Sequence, residues 1–152
     1  MAPVAQPFGS FARLLDNKGL EHEAECLSAY RAQGLSILEI PDRARAETFA
    51  DWVDRIGDPF AGDHDVIYQM PFAHDGVRGV ADFVLRVIDE KTGQVSYEPV
   101  DAKLARSEAK PGHVLQLCFY AEAIEALTGV APQRMHLWLG SGDVEPIRTN
   151  DV

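Results

Sequence analysis

VRGVADFVLRVIDEKTGQVSYEPVDAKLA, residues 77–105, decides how this chain is read. Its first twelve residues are apolar on both alternating faces except at Arg78, Asp82 and Arg86, which suits a central strand covered from both sides. Asp89-Glu90-Lys91-Thr92-Gly93 supplies a turn, and QVSYEPVDAKLA (94–105) returns as a second strand. With the turn symmetric about Lys91-Thr92, paired residue numbers add to 183, which sets Asp82 opposite Asp101. A bulge at Gly93 would slip that register by one. Side chains alternate along a strand, so Lys103 shares a face with Asp101 and stands roughly 7 Å further on.

Like charges directly opposite on a sheet repel, and two buried carboxylates cost more still unless a cation joins them. One solution is a divalent metal site. Hard carboxylate oxygens suit Mg²⁺ or Mn²⁺, which can polarise a phosphodiester and acidify a bound water. Lys103 would then position that water or stabilise charge developing at phosphorus. Spacing alone equally allows a structural Asp101–Lys103 ion pair on an exposed sheet face.

Outward toward the N-terminus, DVIYQMPF (65–72) is a strand ending in the turn His74-Asp75-Gly76. Before it, ARAETFADWVDRI (44–56) reads as a helix capped by Asp42 and stopped by Gly57 and Pro59. LSILEI (35–40) is a short strand. Residues 9–32 place Phe11, Leu14, Leu15, Leu20, Ala24, Leu27 and Tyr30 at helical spacing, with a break at Asn17-Lys18-Gly19. Glu23 and Glu25 read as solvated helix charges. Toward the C-terminus, residues 112–128 form a helix ended by Gly129 with Pro132 beyond. RMHLWLG (134–140) is a last core strand, and DVEPIRT (143–149) pairs along its edge. The order α-β-β-β-α-β predicts an α/β fold, a mixed central sheet flanked by helices. Residues 1–8 read as a loose lead-in and 9–152 as one domain.

Composition narrows the function. The 152 residues carry net charge −10 with 46% hydrophobic residues, as ordinary globular proteins do. Residues 1–76 hold 6 Lys/Arg against 13 Asp/Glu, and residues 77–152 hold 8 against 11, so no half is basic. Binding nucleic acid through bulk charge alone is thereby disfavoured. No apolar run approaches the ~20 residues of a membrane span, and the N-terminus lacks the pattern of a secretory signal. Cys26 and Cys118 make neither a disulfide framework nor a metal cluster, and buried free thiols suit a reducing cytoplasm. Trp52 and Trp138 read as packing residues.

The densest positive stretch is Lys103, Arg106, Lys110 and His113, with Arg78 and Arg86 on the preceding strand. It is either an ordinary solvated loop or the place where a phosphate backbone passes. In the helix that follows, Gln116 and Tyr120 lie i and i+4 on one face among Val114, Leu115, Leu117, Cys118, Phe119 and Ile124. Gln116 is then either a satisfied core group or one that orients a site.

Together G-V-A-D (79–82), V-D-A-K (100–103) and Q-L-C-F-Y (116–120) resemble the RecB-type branch of the PD-(D/E)XK nuclease superfamily. The phrases VIYQ, GVADFVLRV, DAKLARS and LQLCFYAEAIEALTGV resemble RecB-like nucleases, relatives of CRISPR-associated RecB-type exonucleases, over about residues 15–148. G-L-E-H-E (19–23) puts His22 where that family has an upstream helical histidine; by itself, His22 would read as a helix-surface residue. The resemblance implies a restriction-endonuclease-like core and a metal-dependent deoxyribonuclease, an exonuclease by expectation, in repair, recombination or defence. It makes His22, Asp82 and Asp101 ligands of Mg²⁺ or Mn²⁺, with the Ala102 carbonyl as a further ligand. Lys103 becomes the catalytic lysine, Gln116 and Tyr120 the supporting pair, and Arg106, Lys110 and His113 contacts to DNA. Helicase or further nuclease domains outside this chain are implied partners. Asp101 stands where many relatives have Glu, and two cysteines are too few for the iron–sulfur cluster some of them carry. A catalytically weak DNA-binding or scaffold module on the same fold is the alternative.

Overall fold

The computed structural model describes residues 21–103 and 111–149, with the side chains of Lys103 and Pro111 outside that description. Residues 21–32 are helical (α1) and lead to β1 (Ile37–Glu39). Then come α2 (Phe49–Ile56), a 3₁₀ turn at Pro59–Gly62, β2 (Val66–His74), β3 (Val77–Ile88) and β4 (Val95–Lys103). Helix α3 (Pro111–Thr128), β5 (Arg134–Leu139) and β6 (Val144–Arg148) complete the order. The mixed α/β architecture expected from the sequence is therefore present, as one six-stranded sheet in the order β1-β2-β3-β4-β5-β6.

Strands β2, β3 and β4 form an antiparallel meander, β1 joins β2 in parallel, and β5 joins β4 in parallel after the α3 crossover. Strand β6 pairs along the edge of β5, as expected of DVEPIRT, and runs antiparallel to it. The β3–β4 register runs from Phe83 opposite Val100 to Ile88 opposite Val95, which is the predicted register. Gly93 takes a φ of 73° that only glycine adopts readily, and the turn absorbs it without a slip.

Adjacent residues on each strand divide between two cores, so the sheet is covered on both faces. On one face Cys26, Leu27 and Tyr30 of α1 pack on Val66, Phe83 and Val100, with the Tyr30 ring edge-on to Phe83 and Trp138. On the other, Leu117, Tyr120 and Ile124 of α3 and Phe49 and Trp52 of α2 join Ile67, Val84, Met135 and Leu137. No helix among the described residues is long and apolar enough to cross a membrane.

Three local expectations are corrected. The N-cap of α2 lies six residues after Asp42: Thr48 takes that place and accepts from the Asp51 N–H at 3.1 Å. The chain before it is held by side chains instead, because Glu47 accepts from the Ala44 N–H and from Arg55. The inner stripe of α1 is His22, Cys26, Leu27 and Tyr30, and Ala24 is exposed. Cys118 is half-buried, not buried. The Asn17-Lys18-Gly19 break lies outside the described residues.

Candidate active site

The site is built where β3 meets β4. The β2–β3 register steps from Tyr68 opposite Phe83 to Met70 opposite Ala81, passing over the level of Gln69 and Asp82. Gln69 has a φ of 64°, in the left-handed region. Strand alternation changes phase there. Phe83 and Tyr68 belong to the α1 face, yet two residues on, Ala81 and Met70 belong to the α3 face. Asp82 is turned at this break and accepts a hydrogen bond from the Ala102 N–H at 2.8 Å. The G-V-A-D and V-D-A-K motifs are thus joined by a direct side chain to backbone bond.

Asp101 is 1% exposed and points to the α3 face, level with its register partner Leu137. Burial raises the Tyr120 phenol above its ordinary range, and the charges of Asp101 and then Asp82 raise it further. On the α1 face, burial pushes the Cys26 thiol up to about 12, with Asp82 the largest charge contribution. Asp82 therefore acts electrostatically on both faces, as a carboxylate at a phase break can.

Tyr120 donates to the Val80 carbonyl at 2.7 Å and accepts from Gln116 Nε2 at 3.0 Å. The i, i+4 pairing holds, but Gln116 is exposed, because the first turn of α3 projects past the sheet with Leu115 71% exposed. Gly79 admits this contact, since a Cβ there would stand 3.2 Å from the Tyr120 hydroxyl.

His22 is buried on the inner face of α1, not on its surface. Its Nε2 lies 2.8 Å from the Trp138 carbonyl, which can only accept. Nε2 therefore carries the proton and Nδ1 the lone pair in the neutral ring, as in ligating histidines held from behind. Trp138 is the register partner of Ala102, so His22 is anchored one strand away from the Asp101–Lys103 segment. Lys103 ends β4 opposite Leu139. His113 is half-buried near the start of α3, while Arg106 and Lys110 lie outside the described residues. Arg86 sits opposite Tyr97 with its Nε buried and without a hydrogen-bond partner among the described residues, and Arg78 stacks 5.4 Å over the Phe49 ring.

No protein-family model matches the chain, and no curated protein sequence matches it.

The donors fit a hard cation in kind, two carboxylates and a neutral imidazole. Asp82 holds the Ala102 N–H, the charge of Asp101 acts on Tyr120 from the α3 face, and His22 is held at the Trp138 carbonyl on the α1 face. Among the described residues, no three His, Cys, Asp or Glu side chains gather closely enough to hold one ion.

Two features escaped the sequence reading. Glu23, read as solvated, is half-buried and accepts a hydrogen bond from Gln69 Nε2. Glu98, 6% exposed, accepts from or pairs with His136 Nε2 at 2.8 Å across β4 and β5. Its signal was a lone Glu in an apolar strand.

Proposed function

We propose that this chain is a metal-dependent deoxyribonuclease on a PD-(D/E)XK-like core, acting on DNA in repair, recombination or defence. The observation that carries the reading is the Asp82–Ala102 bond, which brings the lone aspartate of one strand onto the Asp-Ala-Lys segment of the next. The sheet order and the Gln116–Tyr120 pair support it.

Asp82 and Asp101 would hold Mg²⁺ or Mn²⁺, with the Ala102 carbonyl as a further donor, while His22 stays anchored at the Trp138 carbonyl on the opposite face. The ion would supply Lewis acidity toward a phosphodiester and a more acidic water. Lys103, one pleat beyond Asp101, donates to phosphoryl oxygen as negative charge develops there. Tyr120 keeps its proton, and with the Val80 carbonyl accepting it, the phenol fixes α3 against β3 and does not serve as a base. His113 at the α3 start, with Arg106 and Lys110, meets the backbone phosphates. Helicase or nuclease domains on other chains would deliver the strand.

Calorimetric titration with Mn²⁺ tests the site: binding by the wild type and about tenfold or greater weakening in Asp82→Asn is expected. One observation favours a second reading, a DNA-binding or scaffold module on the same core: no three ligand side chains are gathered among the described residues. Undetectable Mn²⁺ binding, unchanged by Asp82→Asn, decides for that module.

A further inference from the structure

Gln69 is the only non-glycine residue within a strand that has positive φ among the described residues; Asp63 and Asp75 lie in a loop and a turn. Left-handed backbone is unfavourable for a residue with a Cβ and persists only where the surroundings enforce it. Here the enforcing group is visible, because the Gln69 amide donates to Glu23 of α1. Burial, and then the neighbouring Glu23 carboxylate, raise the Tyr68 phenol above its ordinary range. Tyr68, Gln69 and Glu23 line one side of a polar depression of about 490 Å³ that continues to Glu39 and Asp42.

The consequence falls on the opposite strand. A regular β2 would pair Gln69 with Asp82, and Asp82 would project on the face that period-2 alternation from Val84 assigns it. Instead the register passes over this level, both strands change phase, and the Asp82 carboxylate swings onto the Ala102 N–H. We infer that Gln69 is a positioning residue: tied to Glu23, its left-handed turn aims Asp82 at the Asp-Ala-Lys segment. The geometry stands by itself; what the aimed carboxylate does rests on the nuclease reading.

The test compares residues that accept left-handed φ, Gln69→Gly and Gln69→Asn, with one that resists it, Gln69→Val, and adds Glu23→Ala to cut the tether. Amide hydrogen exchange at Ala102 reports the Asp82 bond directly, and Mn²⁺ calorimetry reports the site. Gln69→Val is expected to speed Ala102 exchange about tenfold over Gln69→Gly, with Glu23→Ala between them. Gln69→Val should also bind Mn²⁺ about tenfold more weakly than Gln69→Gly. If Gln69→Val fails to fold, Glu23→Ala alone must still speed Ala102 exchange over wild type. Equal Ala102 exchange in all the folded variants overturns the positioning role, even where melting temperatures differ. Absence of Mn²⁺ binding in every variant, with the exchange pattern as expected, removes the nuclease reading and leaves the positioning role standing.

Discussion

The Tyr120 hydroxyl donates to the Val80 carbonyl at 2.7 Å, so one phenol fastens the α3 face to the strand that carries Asp82. Tyr120→Phe deletes this bond and leaves the half-buried Val80 carbonyl without its donor, a loss of about 1 kcal/mol. In a domain of this size that lowers Tm by roughly 2–4 °C. Gln116→Ala, which removes an exposed donor to the same oxygen, should lower Tm by less. A larger loss in Gln116→Ala than in Tyr120→Phe contradicts the assignment.

Alkaline pH should destabilise the fold through its buried thiol and phenols. Cys26 is pushed from an ordinary 9.0 up to about 12, and Tyr30, Tyr68 and Tyr120 are raised above 10.0, each chiefly by burial. The unfolded chain loses these protons at ordinary values while the native state keeps them, so the native state binds more protons in that window. Stability is full below about pH 9 and falls as pH rises toward 12. Urea melts from pH 7 to 11 measure it, and a midpoint that rises with pH in that window overturns the sign.

Thr48, not Asp42, caps α2. Thr48→Ala should destabilise by about 1 kcal/mol, while Asp42→Ala leaves the helix cap intact and changes stability by less than about half that. Chemical denaturation of the two variants separates them.

The Glu98–His136 pair is nearly enclosed, with side chains 8% and 15% exposed. His136→Ala strands the carboxylate between strands and should cost roughly 3 kcal/mol or more, whereas Glu98→Gln in the same background recovers part of it. Denaturation midpoints of the single and double variants form the cycle that measures it.

Much of this fold was legible because a hairpin is arithmetic. Once the 89–93 turn is recognised, pairing gives the register, and the observed ladder follows it from Ile88–Val95 to Phe83–Val100, one step short of Asp82 and Asp101. The burial of His22 was not legible in the apolar residues of α1, because the inner stripe includes His22 and Cys26 and leaves Ala24 outside. Asp42 and Thr48 carry equally good capping side chains, and only the Glu47–Arg55 bonds decide between them. The left-handed turn at Gln69 defeats period-2 reasoning, since one backbone angle moves every later side chain to the opposite face. Gln116 stood among apolar letters, but helix α3 projects its first turn beyond the sheet, so that apolar neighbourhood is not an enclosed one.

The central claim is that Asp82 and Asp101 form the cation-binding centre of a DNA nuclease. Digestion of end-labelled linear and circular DNA with Mn²⁺, with EDTA and with Asp101→Asn tests it most directly. The account predicts cleavage with Mn²⁺, none with EDTA, and a loss on the order of 10²-fold or more in folded Asp101→Asn. Cleavage at the wild-type rate by Asp101→Asn, or by the wild type in EDTA, contradicts it.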